Sequence, residues 1–205
     1  MLQAENLECV RGDRRLFSNL NFVLRPGEFL QLTGPNGSGK TSLLRMICGL
    51  LAPSRGEIRW EGANIHSLRE EYSTVISYLG HRTAIKDELS GLENLRVSSA
   101  LDGTEIRDTA ARDILRTMGL GGRELLPVRL LSEGQKRRVA LARLAVCNTR
   151  LWLLDEVLSS LDLTAVALVL SLIEDHLGNG GMAVVSTHQE INLSAGSFQR
   201  LELAS

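Results

Sequence analysis

The sequence predicts an α/β fold with a mainly parallel sheet, an antiparallel β subdomain at the N-terminus and a helical insertion. Short apolar runs alternate with longer segments of helical period, which favours a parallel sheet covered by helices on both faces. A glycine-rich stretch at residues 34–41 separates one such run from a helical segment. Two strand-like segments within residues 2–24 precede this core and predict an antiparallel pair.

The N-terminal part of the chain is predicted to contain five strands and one helix. Apolar and β-branched residues fill the strand segments, and turns containing Pro and Gly separate them. Asn19 interrupts the second strand and is expected at a turn or a bulge. The predicted strands are residues 2–10, the stretch LFSNLNFVL within residues 14–24, and residues 29–33, 57–60 and 74–79, and the predicted helix is residues 41–50.

The rest of the chain is predicted to be richer in helices. Residues 80–91 show no clear period and are expected to form a loop, and residues 92–131 are expected to form a helical insertion between two core strands. Ser132 is the natural N-cap of the helix that follows. The predicted helices are residues 92–100, 105–118, 132–147 and 163–177, and the predicted strands are residues 151–154, 182–186 and 198–203.

Length and composition indicate one domain that spans residues 1–205, or one domain with a small subdomain. The net charge of −1 gives no electrostatic signal for nucleic-acid binding, so no nucleic-acid partner is expected. Cys9, Cys48 and Cys147 lack metal-ligand spacing and are expected to be reduced thiols of a cytosolic protein. No run of eighteen apolar residues occurs and charges interrupt the first residues, so neither a membrane span nor a signal peptide is expected.

The stretch GPNGSGKT at Gly34–Thr41 fits the phosphate-binding pattern G-x-x-x-x-G-K-[ST] at every required position. Glycines let backbone amides approach a phosphate closely, and the start of the following helix adds free N–H groups and a positive dipole end. The pattern predicts ATP binding with Lys40 at the β- and γ-phosphates and Mg²⁺ on the Thr41 hydroxyl, the alternative being a turn that matches by chance. The candidate binding residues are Gly34, Pro35, Asn36, Gly37, Ser38, Gly39, Lys40, Thr41 and Ser42.

Two acidic residues follow the apolar run LWLL and are candidates for metal binding and catalysis. The carboxyl end of a buried strand is where open α/β sheets bind ligands. Asp155 is expected to hold Mg²⁺ opposite Thr41, and Glu156 to polarise the attacking water. The alternative is that both acids only end the strand.

His188 follows another apolar run, MAVVST, and is the third catalytic candidate. From the end of a core strand its imidazole can reach the γ-phosphate and stabilise charge there. The alternative is a structural histidine, which is the more common role of a lone histidine.

The stretch LSEGQKRRVALARL at Leu131–Leu144 resembles the signature helix of ATP-binding-cassette (ABC) ATPases, with Glu133 in place of a glycine. Four further motifs occur in the order of that family. They are the phosphate-binding loop (P-loop) at residues 34–41, the LLDE strand, a D-loop at residues 159–162 and a switch histidine, His188. The resemblance implies a homodimer in which Ser132 and the Gly134 amide contact the γ-phosphate bound by the partner. Residues 136–138 are interpreted either as a phosphate or partner patch or as a solvated helix face.

Besides Glu133, the residues at positions 11 and 81 also depart from the family pattern. Arg11 stands where the family usually has an aromatic residue that stacks on adenine, and its guanidinium is interpreted either as a replacement stacking group or as an exposed side chain. His81 stands at the Q-loop glutamine, where it is a candidate for contact with the water shell of the metal or with the attacking water.

The segment YLGHRTAIKDELSGLENL at Tyr78–Leu95 resembles the haem-exporter ATPases of bacterial cytochrome c maturation. This implies a translocase subunit, peripheral on the cytoplasmic face of the inner membrane, that binds integral membrane subunits and uses ATP to release a haem-loaded chaperone. The alternatives are the ATP-binding subunit of a transporter for another substrate and a soluble ABC ATPase. The residues themselves do not identify the transported species.

Overall fold

The computed structural model describes residues 1–80, 84–159, 161–189, 191, 193 and 196–203. The strands are β1 (Leu2–Arg11), β2 (Arg14–Leu24), β3 (Glu28–Thr33), β4 (Arg55–Trp60), β5 (Ala63–Asn64), β6 (Ile76–Leu79), β7 (Leu151–Asp155), β8 (Met182–Ser186) and β9 (Ser197–Glu202). The helices are α1 (Lys40–Ile47), α2 (Ile65–Leu68), α3 (Glu70–Ser73), α4 (Gly91–Leu101), α5 (Asp108–Thr117), α6 (Glu133–Val146) and α7 (Leu163–Gly178), with a 3₁₀ turn at Val128–Leu130.

The chain divides into two compact units. The first comprises the described residues of 1–78, 149–157 and 173–205, and the second comprises those of 79–148 and 158–172. The predicted insertion at residues 92–131 lies within the second unit, which also contains α6. Among the described residues, no helix is both long enough and apolar enough to cross a membrane.

The predicted antiparallel sheet at the N-terminus is confirmed, with the strand order β2-β1-β4-β5. The register between β1 and β2 shifts where Leu7 pairs with Leu20 and Cys9 with Phe17. Asn19 lies on β2 between these two pairs and has a φ of 51°, as expected for a bulge. Apolar side chains on one face of this sheet join the main hydrophobic core of the first unit.

The second sheet has the order β6-β7-β8-β3-β9, in which β3 pairs in parallel with β8 and β9, and β7 with β8. Every residue of β7 and β8 is buried, which explains why both strands consist of apolar residues up to their last position. Because β3, β7 and β8 run in the same direction, the residues that follow them meet at one edge of the sheet. This edge therefore carries the P-loop, the two acidic residues and His188.

Three predicted boundaries differ from the structure for local reasons. Helix α1 ends earlier than predicted because Gly49 adopts a left-handed conformation (φ 76°), which is typical just beyond a helix end. Strand β6 starts later because Thr74 closes α3, where its hydroxyl donates to Glu71 O at 2.8 Å. Helix α5 starts later because the Thr104 hydroxyl bonds back to the end of α4.

The second unit contains α4, α5 and α6, and both α4 and α6 begin with a complete capping box. Ser90 caps α4 with Glu93, and Ser132 caps α6 with Gln135. The predicted N-cap role of Ser132 is thereby confirmed.

Candidate nucleotide-binding and hydrolysis site

The P-loop connects β3 to α1 and surrounds a cavity of about 180 Å³. A side chain at Gly34 is sterically impossible, because its Cβ would lie 2.4 Å from the carbonyl oxygen of Leu203. Gly39 precedes α1 with a φ of 106°, which favours glycine. The cavity is lined by Leu16, Asn36, Gly37, Gly39, Lys40, Thr41, Ser42 and Glu156.

The Lys40 side chain reaches back to the first two residues of the P-loop. Its ammonium donates to Gly34 O at 2.8 Å and to Pro35 O at 3.1 Å, and the residue is only 5% exposed. An ammonium has three donors, so one remains for a ligand. The Ser38 hydroxyl is buried without a hydrogen-bond partner among the described residues. These spare polar groups suit a polyphosphate.

Asp155 and Glu156 are joined through the hydroxyl of Ser186, which sequence analysis missed. The Ser186 hydroxyl donates to Asp155 Oδ1 at 2.6 Å and accepts from the Glu156 amide at 3.0 Å. The register pairs Asp155 directly with Ser186 across β7 and β8, and both residues are buried. A serine at the end of an otherwise apolar strand was the available signal.

His188 lies between the P-loop and Glu156. Its Nε2 is 3.1 Å from Asn36 Oδ1 and 3.5 Å from Glu156 Oε1. Glu156 itself has a φ of 53°, which is uncommon for a residue with a side chain and often occurs at functional sites. The structure thus brings the predicted carboxylate and the predicted histidine to the same cavity.

Tyr78 lies near Asp155 and bonds to Arg45. Burial raises the pKa of Tyr78, and the negative charge of Asp155 raises it further, while the hydrogen bond with Arg45 opposes the shift.

The oxygen donors near the cavity fit Mg²⁺. Thr41 offers a hydroxyl and Asp155 a carboxylate, and Mg²⁺ prefers such hard oxygen ligands. Among the described residues no group of three or more His, Cys, Asp or Glu side chains is arranged to hold a metal. Mg²⁺ usually keeps several waters and takes further ligands from substrate phosphates.

The remaining predicted site residues lie elsewhere. Arg11 is exposed at the end of β1 and pairs with Arg14 across the hairpin, and its role at the base stays a prediction. Ser132 and Gly134 lie at the start of α6 in the second unit, where a side chain at Gly134 would meet open space. His81 lies outside the described residues, so its predicted role also stays a prediction.

Residues 136–138 of α6 are partly exposed, and each has a partner. Lys136 Nζ is 3.0 Å from Glu133 Oε1, and Arg138 Nη2 is 2.6 Å from Asp162 Oδ2 in the D-loop. The side chains of Lys136 and Arg138 are 19% and 21% exposed. Arg137 donates to the Ser159 hydroxyl at 3.4 Å. Two of these cations therefore contact the D-loop, and both interpretations of this segment stay predictions.

Comparisons with known proteins identify the family of this chain. A family model described as ABC transporter matches residues 17–159. A relative from Nitrosospira multiformis, named "Cytochrome c biogenesis ATP-binding export protein CcmA", is 57% identical over 202 residues, or 98% of each chain.

Two solved structures show the same fold. One is described as an ABC transporter ATP-binding protein of Pyrococcus furiosus; it has a TM-score of 0.85 and 25% identity, over 98% of this chain and 96% of that chain. The other, a dimeric post-hydrolysis ATP-binding cassette bound to ADP and Pi, has a TM-score of 0.80 and 24% identity, over 92% and 88%. The predicted resemblance is confirmed, and the chain belongs to the ABC transporter family.

Proposed function

We propose that this chain is the ATP-hydrolysing subunit of an export system in c-type cytochrome biogenesis. The observation that carries the proposal is a cavity lined by the P-loop and Glu156. The His188 Nε2 lies 3.5 Å from the Glu156 carboxylate, and Asp155 directly precedes Glu156 in the chain. The name of the relative from Nitrosospira multiformis supports the biological setting, since the two chains match over almost their whole lengths.

In this proposal, the P-loop holds the phosphates of ATP. The free N–H groups and the positive dipole end at the start of α1 favour anionic oxygens in the adjacent cavity. Lys40, already held by the first two residues of the loop, contributes its remaining donor to the β- and γ-phosphates. Thr41 and Asp155 would hold Mg²⁺, which neutralises charge on the triphosphate when bound.

Glu156 and His188 carry the hydrolytic step in the same proposal. The Glu156 carboxylate orients the attacking water and accepts its proton, and His188 donates a hydrogen bond to the γ-phosphate. Ser186 positions both acidic residues, since one hydroxyl fixes the Asp155 carboxylate and the Glu156 amide.

The proposed active form is a homodimer. Ser132 and Gly134 at the start of α6 contact the γ-phosphate bound by a second copy of the chain, and that helix end favours negative charge. We treat residues 1–205 as one ATPase domain with a helical insertion at about residues 92–131.

The proposed site of action is the cytoplasmic face of the bacterial inner membrane. There the chain binds integral membrane subunits as a peripheral protein, and ATP hydrolysis releases a haem-loaded chaperone. His81 is proposed to couple the nucleotide to these subunits. No nucleic-acid partner is part of the proposal, given the net charge of −1.

The test uses the chain purified with its membrane subunits and the haem-loaded chaperone. Addition of MgATP is expected to release the chaperone, and a complex carrying Lys40→Ala is expected to release none because it cannot bind the phosphates. Glu105→Gln, an exposed change outside the site, serves as the control. Equal release by the Lys40→Ala complex and the control would contradict the proposal.

A further inference from the structure

The beginning of β2 lies directly against the P-loop. The Arg14 guanidinium approaches Gly37, with its Nη1 3.9 Å from the position that a Cβ of Gly37 would occupy. Two residues further along the strand, Leu16 lies against Gly39, with its Cβ 3.2 Å from the corresponding position there. Phe17 also lies against Gly39, with ring carbons 3.1 Å from the same position. The beginning of β2 therefore packs against the P-loop at both Gly37 and Gly39.

The nucleotide cavity is lined by Leu16, Gly37 and Gly39, together with Lys40 and Thr41. The Arg14 guanidinium therefore lies at the rim of this cavity. Its side chain is long enough to turn inward over Gly37, and the residue is exposed.

The neighbouring arginine has a different environment. The Arg15 Nε is 3.1 Å from Glu8 Oε1. Glu8 also pairs with Arg55 at 3.4 Å. Among the described residues, no carboxylate lies within ion-pair distance of Arg14. The two adjacent arginines thus differ: Arg15 pairs with a carboxylate that it shares with Arg55, whereas Arg14 places its positive charge beside a phosphate-binding loop.

We propose that Arg14 is a nucleotide-binding residue that contacts phosphate oxygens of the bound nucleoside di- or triphosphate, as a second cation beside Lys40. This inference rests on the proposed function, since it requires ATP in the P-loop cavity. A guanidinium presents paired N–H donors that match phosphate oxygens, and charge-assisted hydrogen bonds of this kind are among the strongest. The contact differs from the one predicted for Arg11, which concerns the adenine base.

The test compares Arg14→Gln with Arg15→Gln, because the two changes remove the same charge from adjacent positions. Isothermal titration calorimetry with MgADP and MgATP measures the affinity of each variant at low and moderate salt. Arg14→Gln is expected to weaken the binding of both nucleotides about tenfold. This factor corresponds to the lower end of the free-energy range for hydrogen bonds to charged groups. Arg15→Gln is expected to stay within about twofold of the original chain, since exposed ion pairs contribute little.

Two further measurements separate a phosphate contact from other effects. Arg14→Lys is expected to recover part of the affinity because it restores the charge without the paired donors. Arg14→Gln is expected to weaken the binding of GTP and of ATP by the same factor, since both nucleotides carry the same phosphates. Equal MgADP affinities of the Arg14→Gln and Arg15→Gln variants would overturn the inference. So would an Arg14→Gln variant whose affinity for ATP falls while its affinity for GTP does not. If the original chain itself binds no MgADP, the proposed function fails instead.

Discussion

At the scale of single residues, the hydroxyl of Ser186 links the two acidic residues that are proposed to hold the metal and to activate water. It donates to one carboxylate and accepts from the backbone of the next residue, so its loss disturbs both positions. Its burial leaves no water to replace the missing hydrogen bonds.

Ser186→Ala is therefore expected to lower the turnover of ATP about tenfold, which corresponds to one hydrogen bond to a charged group. Steady-state phosphate release by the complex measures this effect. Ser77→Ala is a matched control, because the Ser77 hydroxyl bonds Thr149 at 2.8 Å elsewhere in the same unit. Equal turnover of the two variants would show that Ser186 is only a packing residue.

Glu156→Gln is expected to keep MgATP affinity within about threefold and to reduce turnover at least a hundredfold, in line with the loss of a general base. The amide keeps the shape of the carboxylate but cannot accept a proton from water. Calorimetry measures the affinity, and phosphate release measures turnover, with Glu105→Gln as the control for both. Full turnover in Glu156→Gln would assign the base to another residue.

At the scale of elements, α4 and α6 start in the same way but have different proposed roles. Each begins with a serine N-cap whose side chain accepts from the backbone of the third helical residue. Only the N-terminus of α6 is proposed to meet the nucleotide of a partner chain. The two serines therefore allow stability and function to be separated.

Ser132→Ala and Ser90→Ala are each expected to lower the free energy of unfolding by about 1 kcal/mol, as usual for a lost N-cap. Urea denaturation measures this change. Only Ser132→Ala is expected to reduce ATP turnover by the complex, because only it touches the partner's γ-phosphate in the proposal. MgATP affinity of the isolated chain should change in neither variant. A loss of turnover that is the same in both variants would remove Ser132 from the proposed site.

Most elements were predictable from the sequence because their burial leaves a clear pattern. The strands β7 and β8 are buried along their whole lengths and read as uninterrupted apolar runs. The short elements β5, α2 and α3 were not predicted, since segments of two to four residues carry no measurable period. Helix ends were displaced where a single hydrogen bond or a left-handed glycine decided them, as at Gly49.

The site was predictable in part for similar reasons. The P-loop, Asp155, Glu156 and His188 follow buried strands, and parallel strands bring their ends together. Ser186 was missed because its importance depends on the register between β7 and β8, which the sequence does not display. The contact of Arg14 with the P-loop was missed because it depends on how the antiparallel sheet packs against the loop.

At the scale of the whole molecule, the proposed function is a cycle in which ATP stabilises one state of the complex and its hydrolysis another. A ligand shifts such an equilibrium only through different affinities for the two states. Loss of hydrolysis should therefore stall the cycle with ATP bound rather than prevent the complex from assembling.

The most direct test of this account is the level of holo-cytochrome c in a bacterial strain whose only copy of the chain carries Glu156→Gln. The complex is expected to assemble, haem is expected to remain on its periplasmic chaperone, and holo-cytochrome c is expected to be absent. A strain with Glu105→Gln is expected to contain normal holo-cytochrome c. Normal levels in the Glu156→Gln strain would contradict the central claim and would favour a different exported substrate for the same ATPase.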